Sequence, residues 1–372
     1  MYLEKELSDI IKIHSVSSNI SELAKCLDYC INFVSNGNNK KIFVNKKEFN
    51  GIPSVLISNV NTMKFDILSI GHIDVVPARD DMFKPKVLEN KIYGRGSADM
   101  KSGILVALDI LRDVVKIGKN IKYGVLIVSD EEVGGNNGAK KWAELGLNSK
   151  ILLDYDSGDG FEYISQKSKG MVCIELKVVG TEAHGSMPWD GVDANDIMFE
   201  IINDLRKTFK SYSVYNKPKN TWISTMHVGN IDGGDAINKI ACSSKAVFDI
   251  RITEEYKVAD ILKMFDKITT NGKYGGKISY KILATGEPVY SNENDKYFKK
   301  YVDLVEREIG KKPEFVVFNG ATDMRYFVNK DNIVIHHNSN IGPIHSDNEW
   351  VDLITLEKLK KVGLEFVLNY QG

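Results

Sequence analysis

The sequence predicts an α/β protein with a mostly parallel sheet and an inserted α+β domain of ferredoxin-like type. The first observation is that short apolar runs recur along the chain, and that helical patterns separate the earlier ones, as in βαβ units. The runs are residues 67–70, 125–128, 151–153, 315–318 and 333–335, and the helical patterns are 102–116 and 136–145. We therefore expect these segments to form the parallel sheet and the helices that cover it.

The second observation is a change of pattern after residue 170. The segments that follow read as strand 171–179, helix 192–208, strands near 221–229 and 244–252, helix 256–268 and strand 277–283. This βαββαβ order is typical of a ferredoxin-like domain. We therefore expect a discontinuous first domain, made of residues 1–169 and 288–372, and an inserted domain over residues 170–287.

Composition narrows the class of partner. The chain has 49 Lys and Arg against 50 Asp and Glu over 372 residues, and it has no long run of one sign. This balance argues against a nucleic-acid or membrane partner and favours a small molecule. The N-terminus is charged and no stretch of 18 apolar residues occurs, so we expect a cytoplasmic chain. The four cysteines lack the spacing of a zinc finger or a disulfide framework.

An imidazole and a carboxylate follow the first apolar run, in the segment Gly71-His72-Ile73-Asp74. Side chains two positions apart at a strand end point to the same side. Asp74 can therefore bond one ring nitrogen of His72 while the other ring nitrogen binds a metal ion. This pair is the first indication of a metal site.

Acidic residues also follow the other predicted parallel strands. They are Asp130, Glu131 and Glu132 after the second run, Asp154 and Asp156 after the third, and Asp323 after the fourth. In open α/β sheets the ligand crevice lies beyond the carboxyl ends of the strands, so these groups should converge. Because neighbouring carboxylates raise one another's pKa, such a cluster calls for a compensating cation.

The expected cation is a transition metal. With His72 and His345, the cluster offers imidazole nitrogen as well as carboxylate oxygen, a donor set that suits zinc, cobalt or manganese better than magnesium or calcium. The chain lacks a Walker motif, and no Gly-x-Gly-x-x-Gly follows a strand. A flavodoxin-like or nucleotide-binding α/β protein is therefore disfavoured.

Several segments resemble one known family. They are Gly-His-Ile-Asp-Val-Val-Pro at 71–77, Tyr-Gly-Arg-Gly-Ser-Ala-Asp-Met-Lys-Ser-Gly at 93–103, Ser-Asp-Glu-Glu at 129–132, Ala-His-Gly-Ser at 183–186 and Phe-Asp-Ile-Arg at 248–251, followed by His345. They are similar to the metallopeptidase superfamily of acetylornithine deacetylase, succinyl-diaminopimelate desuccinylase and glutamate carboxypeptidase. The resemblance implies a zinc-peptidase-like catalytic domain and an inserted domain that acts as a lid and in dimerisation.

The resemblance also implies a site for two divalent metal ions, most simply zinc, with cobalt or manganese as alternatives. His72 would bind one ion, Glu132 and His345 the other, and Asp99 would bridge them. Glu131 would be the general base, and Asp74 would orient His72.

The remaining metal ligand departs from the commonest family pattern. Where many deacylases of the family carry Glu-Pro-Thr, this chain reads Leu-Asp-Tyr-Asp-Ser-Gly-Asp at residues 153–159. Asp156 aligns best, and Asp154 is the alternative. In having an aspartate at this ligand position, the chain resembles the aminopeptidase and dipeptidase branches of the family.

Other family positions imply contacts with the substrate. His184 resembles a lid histidine that stabilises the tetrahedral oxyanion after domain closure or from a partner subunit. Arg251 resembles the arginine that binds a substrate α-carboxylate. Asn238, Gly320 and Thr322 match segments that contact the substrate.

These features predict a dinuclear metal hydrolase that cleaves an amide bond of an N-acyl amino acid with a metal-activated water. A dipeptidase or aminopeptidase of the same superfamily is the alternative for a short peptide substrate. A catalytically silent metal-binding protein is the alternative of another class. A homodimer through the inserted domain is a further expectation from the family.

Overall fold

The structure is a computed structural model that describes residues 2–36, 42–156, 160–209, 220–270, 272–329 and 332–372. Residues 157–159 of the predicted ligand segment lie outside the described residues. The strands are β1 (Phe43–Phe49), β2 (Ile52–Ser58), β3 (Lys64–His72), β4 (Lys86–Leu88), β5 (Lys91–Tyr93), β6 (Tyr123–Val128), β7 (Asn148–Asp154), β8 (Tyr163–Ser168), β9 (Gly170–Val179), β10 (Thr225–Gly233), β11 (Ser243–Ile252), β12 (Lys277–Gly286), β13 (Val289–Tyr290), β14 (Glu314–Phe318), β15 (Ile333–His337) and β16 (Trp350–Asp352).

The α-helices are α1 (Tyr2–Ile11), α2 (Ile20–Ser35), α3 (Lys101–Ile117), α4 (Ala139–Glu144), α5 (Ala194–Thr208), α6 (Val258–Thr270), α7 (Lys296–Ile309) and α8 (Leu353–Leu368). Short 3₁₀ helices span Asp80–Phe83, Glu131–Val133, Pro188–Asp190 and Asp323–Tyr326. Within the described residues, no helix has the length and apolar character needed to cross a membrane.

The chain divides into two compact units. The first comprises Met1–Ser168, Val289–Phe318 and Thr322–Gly372, and the second comprises Lys169–Pro288 and Asn319–Ala321. The first unit contains a nine-stranded sheet and a small three-stranded sheet, and the second contains a four-stranded sheet.

The large sheet of the first unit has the order β1-β2-β6-β3-β7-β15-β8-β13, with β14 paired to β8. Its centre, β6-β3-β7-β15, is parallel, whereas β1, β2 and β13 pair antiparallel with their neighbours. In register, His72 pairs with Val128 and Ile70 pairs with Asp154. The segments that follow β3, β6 and β7 therefore begin at the same edge of the sheet.

Both faces of this sheet are covered, which explains why its strands read as continuous apolar runs. Successive residues of β3 face opposite sides: Ile67 packs in the cluster that includes α1, α2, α3, α7 and α8, and Leu68 packs in a second cluster with Trp142 of α4. Helix α3 begins two residues after Asp99, at Lys101, and most of its residues are buried. The strongly buried α3 therefore gives Asp99 a rigid support.

The second unit has the ferredoxin-like order β10-β11-β9-β12, with antiparallel pairing throughout. Alternate residues of β9, from Val172 to Val178, enter a core with α5 and α6. One face of the sheet is thus buried against helices. The predicted fold class, a mostly parallel α/β sheet together with a βαββαβ segment, is confirmed.

Candidate metal centre

The predicted metal ligands all belong to the first unit and lie at or after strand ends. His72 ends β3, Asp99 directly precedes Met100 at the start of α3, and Glu132 lies in the short helix Glu131–Val133 after β6. Asp156 follows β7, and His345 lies between β15 and β16. His345 has a φ of 58°, the left-handed region, which costs free energy for a residue other than glycine and recurs at functional sites.

These five side chains form two groups that could each hold a metal ion. In His72, Asp99 and Asp156, and again in Asp99, Glu132 and His345, the candidate ligand atoms of a group all lie within 4.8 Å of one another. Asp99 belongs to both groups, one oxygen facing each imidazole: Oδ1 lies 3.1 Å from His72 Nε2, and Oδ2 lies 3.0 Å from His345 Nε2. The structure thus brings together all the residues predicted as ligands.

The charges of these groups compensate one another. Burial alone would lower the pKa of His72, but hydrogen bonding and the charge of Asp156 raise it well above its usual range. Hydrogen bonds from the His345 ring to the carboxylates of Asp99 and Glu132 raise the pKa of His345 to about 10. Burial and the charge of Asp99 raise the pKa of Asp156 well above its usual range.

This donor set fits divalent cations. Both Nε2 atoms face carboxylate oxygens, so the nitrogens that would carry protons in the absence of a metal are also the ones that could serve as ligands. Metal ions can replace those protons, since imidazole must be neutral to bind a metal. Mixed imidazole and carboxylate ligation favours transition metals such as zinc.

Glu131, the predicted base, lies beside Glu132. Burial first, and then the charge of Asp323, raises the pKa of Glu131 to about 8. The guanidinium of Arg325 lies 3.5 Å from Glu131 Oε1. A carboxyl group with a pKa near neutrality is suited to exchange protons in a general acid–base step.

Asp74, predicted to orient His72, contacts the ring most closely through its backbone. His72 Nδ1 bonds the backbone carbonyl oxygen of Asp74 at 2.9 Å, while the carboxylate oxygen lies farther away, at 3.5 Å. The carboxylate instead accepts hydrogen bonds from the backbone N–H groups of Glu131 and Glu132, each at 3.2 Å, and from Ser17 at 2.8 Å. Asp74 thus orients the imidazole with its backbone and holds the segment of the base with its side chain.

The alternative ligand Asp154 is engaged elsewhere. One carboxylate oxygen lies 2.8 Å from His336 Nδ1, and the other accepts the backbone N–H of Asp156 at 2.8 Å. Both Asp154 and His336 are buried. Asp154 therefore anchors the turn that presents Asp156, and Asp156 is the aspartate that joins His72 and Asp99.

Glu349 is a site residue that the sequence reasoning missed. It is fully buried, and Oε1 accepts the backbone N–H groups of Ala98 and Asp99 at 3.0 and 3.2 Å. Its other oxygen lies 2.5 Å from Arg95 Nη1. Glu349 thus fixes the backbone that carries Asp99. A single acid in a polar stretch gives no local signal of such a contact, which spans 250 residues.

Arg325 was missed as well, whereas Asp323 was among the acidic residues expected to converge. The Arg325 side chain is 1% exposed, and Nη2 lies 3.4 Å from Asp323 Oδ1 and 3.1 Å from the carbonyl oxygen of Gly134. The hydroxyl oxygen of Thr322 accepts a hydrogen bond from the backbone N–H of Met324 at 3.4 Å.

A cavity of about 10 Å³, room for one water molecule, lies at this site. The residues that line it include His72, Glu131, Asp156, Thr322 and Asp323.

The other predicted substrate residues belong to the second unit. The carbonyl oxygen of Asn238 accepts the backbone N–H of Gly185 at 2.7 Å, so Asn238 and His184 lie on adjacent segments. Arg251, on β11, makes a paired contact with Asp249 at 2.8 and 3.1 Å. The carbonyl oxygen of Gly320 accepts the backbone N–H of Lys169 at 3.1 Å.

Comparison with known sequences identifies the family. Residues 68–369 match the model of peptidase family M20/M25/M40. The chain belongs to this family. The resemblance seen in the sequence motifs is thereby confirmed, and the protein is an M20 hydrolase.

Among named relatives of this M20 protein, an acetylornithine deacetylase of Photorhabdus laumondii is 29% identical over 82% of this chain and 80% of that protein. A succinyl-diaminopimelate desuccinylase of Rickettsia typhi is 26% identical over 98% of both chains. Among solved structures, an M20 metallo-carboxypeptidase of Sulfolobus solfataricus superimposes with a TM-score of 0.76 at 17% identity, covering 97% of each chain. The predicted class of enzyme, a metal-dependent hydrolase of amide or peptide bonds, is confirmed.

Replacing Glu349 tests its support of Asp99. We expect Glu349→Ala to weaken metal binding by about 10- to 100-fold, because the backbone N–H groups of Ala98 and Asp99 lose their acceptor. Competition with a chromophoric chelator measures this affinity.

The control is Asp347→Ala, which removes a half-exposed acid of the same loop. Equal metal affinity of the two variants would show that Glu349 does not support the metal donors.

Proposed function

We propose that this M20 protein is a dinuclear metal-dependent hydrolase that cleaves the amide bond of an N-acyl amino acid, with Glu131 as general base. The observation that carries the proposal is that Asp99 is shared by two donor groups while Glu131 lies next to a member of one of them. A shared carboxylate can bridge two ions in a co-catalytic site.

In this proposal, His72, Asp99 and Asp156 hold one ion, and Asp99, Glu132 and His345 hold the other. Zinc is the first expectation, with cobalt or manganese as alternatives. When bound, the ions would supply Lewis acidity, which lowers the pKa of a water molecule and polarises an amide carbonyl.

Glu131 would move the proton. Its carboxylate accepts a proton from the attacking water as the water oxygen bonds to the carbonyl carbon, and it returns that proton to the nitrogen as the carbon–nitrogen bond breaks. The products are a carboxylate and an amine. The two contacts that support this role are the Asp74 carboxylate, which holds the backbone of Glu131, and Arg325, which lies 3.5 Å from Oε1.

Residues of the second unit, together with Thr322, would contact the substrate. We assign His184 to the developing oxyanion and Arg251 to the substrate carboxylate. The paired contact with Asp249 supports this role of Arg251, since it holds the guanidinium plane in one orientation. Asn238, Gly320 and Thr322 are assigned to further contacts with the substrate.

The class of substrate is argued from two observations. Relatives named acetylornithine deacetylase and succinyl-diaminopimelate desuccinylase favour an N-acyl amino acid. Asp156, where many deacylases carry glutamate, favours the alternative of a dipeptide or other short peptide. A catalytically silent metal-binding protein is disfavoured, since metal binding alone does not require Glu131 beside a full donor set.

We also propose that the protein forms a homodimer through the second unit. Strand β10 lies at an edge of the four-stranded sheet, and an edge strand can pair with a second copy. Ile231 of β10 and Phe199 of α5 are 47% and 56% exposed, apolar surface that a dimer can bury.

Glu131→Gln tests the assignment of the base. We expect turnover to fall by roughly 10²- to 10⁴-fold, because the amide cannot accept the proton, while the protein still binds two metal ions. Metal analysis and initial rates are measured on the same preparations.

Glu144→Gln, at an exposed position of α4, serves as the control and should leave turnover unchanged. Turnover retained in Glu131→Gln would refute the assignment. Absence of turnover in the wild-type protein with every substrate and metal tested would favour the silent metal-binding protein.

A hydrolysis screen distinguishes the classes of substrate. We expect release from N-acetyl or N-succinyl amino acids in the presence of zinc, cobalt or manganese. Arg251→Ala should lower kcat/KM by about 10- to 100-fold, because a charge-assisted hydrogen bond to the substrate carboxylate is lost.

An amidated substrate, which lacks that carboxylate, should be far less sensitive to Arg251→Ala. Hydrolysis of dipeptides alone would decide for the peptidase alternative.

The dimer is tested with a double variant. Ile231→Lys combined with Phe199→Lys should convert the protein to a monomer, because burying two unpaired charges is unfavourable. Light scattering after size exclusion measures the mass. Leu88→Lys, at an exposed position of the first unit, is the control. A wild-type monomer would contradict the proposal.

A further inference from the structure

The imidazole of His184 is held by the residue two positions along the chain. The backbone N–H of Ser186 donates to His184 Nδ1 at 3.1 Å, and Ser186 Oγ lies 2.8 Å from the same nitrogen. Both contacts are made to Nδ1. A single residue therefore occupies one side of the ring with a backbone donor and a hydroxyl group.

These contacts determine where the ring carries its hydrogen. A backbone N–H can only donate, so Nδ1 must offer a lone pair. In a neutral imidazole whose Nδ1 is the acceptor, the hydrogen resides on Nε2. The imidazolium form and the Nδ1–H tautomer would both place two donors face to face at Ser186. The geometry is thus that of the Nε2–H tautomer.

The backbone around His184 keeps the Ser186 amide in place. Gly185 donates to the carbonyl oxygen of Asn238 at 2.7 Å, and Met187 donates to the carbonyl oxygen of His184 at 2.8 Å. A Cβ atom added to Gly185 would lie 3.0 Å from the Asn238 carbonyl carbon, so this close approach favours glycine. The turn is therefore held at both ends by hydrogen bonds.

Charged neighbours of this turn pair with one another. Lys239 lies opposite His184 in an isolated β-bridge, and its ammonium group contacts Glu182 at 3.0 Å and Asp235 at 2.7 Å. These two acids are held by the lysine, so Ser186 provides the hydrogen-bond contacts of the ring that the structure shows.

We infer that Ser186 is a positioning residue that keeps His184 in the Nε2–H tautomer, so that His184 presents a hydrogen-bond donor and not a base. The inference rests on the proposed function, in which His184 faces the developing oxyanion. An oxyanion requires a donor, and the Nδ1–H tautomer would present a lone pair from Nε2 instead. Ser186 thus determines the polarity of the group that the reaction uses.

The tautomer can be read without any substrate. We would record long-range ¹H–¹⁵N spectra of the full-length, zinc-loaded protein with ¹⁵N-labelled histidine at mildly alkaline pH. His184→Asn identifies the His184 signals among those of the seven histidines. The expected result is a pyridine-type Nδ1 and a protonated Nε2. A protonated Nδ1 would overturn the inference, whether or not the proposed activity exists.

Substitution of Ser186 tests the link to the reaction. Ser186→Ala removes the hydroxyl group and keeps the amide, so we expect a mixed tautomer signal and a fall in kcat of about 3- to 10-fold with KM unchanged. Ser186→Thr, which retains a hydroxyl group, should restore both. An unchanged tautomer and an unchanged kcat in Ser186→Ala would refute the role of Ser186. Absence of activity in the wild-type protein would refute only the proposed function.

Discussion

The contact between Asp99 and two imidazoles is the interaction on which the site depends. One carboxylate faces His72 with one oxygen and His345 with the other, although the two histidines lie far apart in the sequence. Placing Asp99, Glu132 and Asp156 so close together is unfavourable without positive charge. The carboxylates nevertheless stay close together because buried groups, such as Glu349, hold the backbone segments that carry them.

The register of the parallel strands makes this meeting possible. Since His72 and Val128 are paired, and Ile70 pairs with Asp154, the segments after β3, β6 and β7 emerge side by side. Two of these segments, those after β6 and β7, then make turns held by a buried carboxylate. Asp74 holds the turn after β6, and Asp154 holds the turn after β7. Asp74 and Asp154, which belong to neither donor group, thus determine the positions of the residues in these turns.

The sequence predicts much of this architecture because strongly buried strands leave continuous apolar runs. The strands β3, β6, β7 and β15 were predicted for that reason, whereas the βαββαβ order of the second unit was predicted from its succession of strand and helix patterns. In contrast, among the described strands β14 pairs with β8 and lies outside the central parallel strands. Its apolar residues do not indicate which strand it pairs with. The hydrogen bonds that the Asp74 carboxylate accepts could not be predicted from its spacing to His72 either, because the donating backbone N–H groups belong to a segment 57 residues away. Glu349 and Arg325 escaped notice for the same reason, since their contacts join distant segments.

The two hydrogen bonds that consecutive backbone N–H groups donate to the Asp74 carboxylate have an evolutionary consequence. They join residues 131 and 132 into one rigid segment whose position is set by the backbone and does not depend on the side chain of residue 131. That side chain can therefore change without disturbing Glu132 in its donor group. With Glu131 as the proposed base, a single substitution at this position would separate catalysis from metal binding, so a scaffold of this kind could give rise to metal-dependent binding proteins with few other changes.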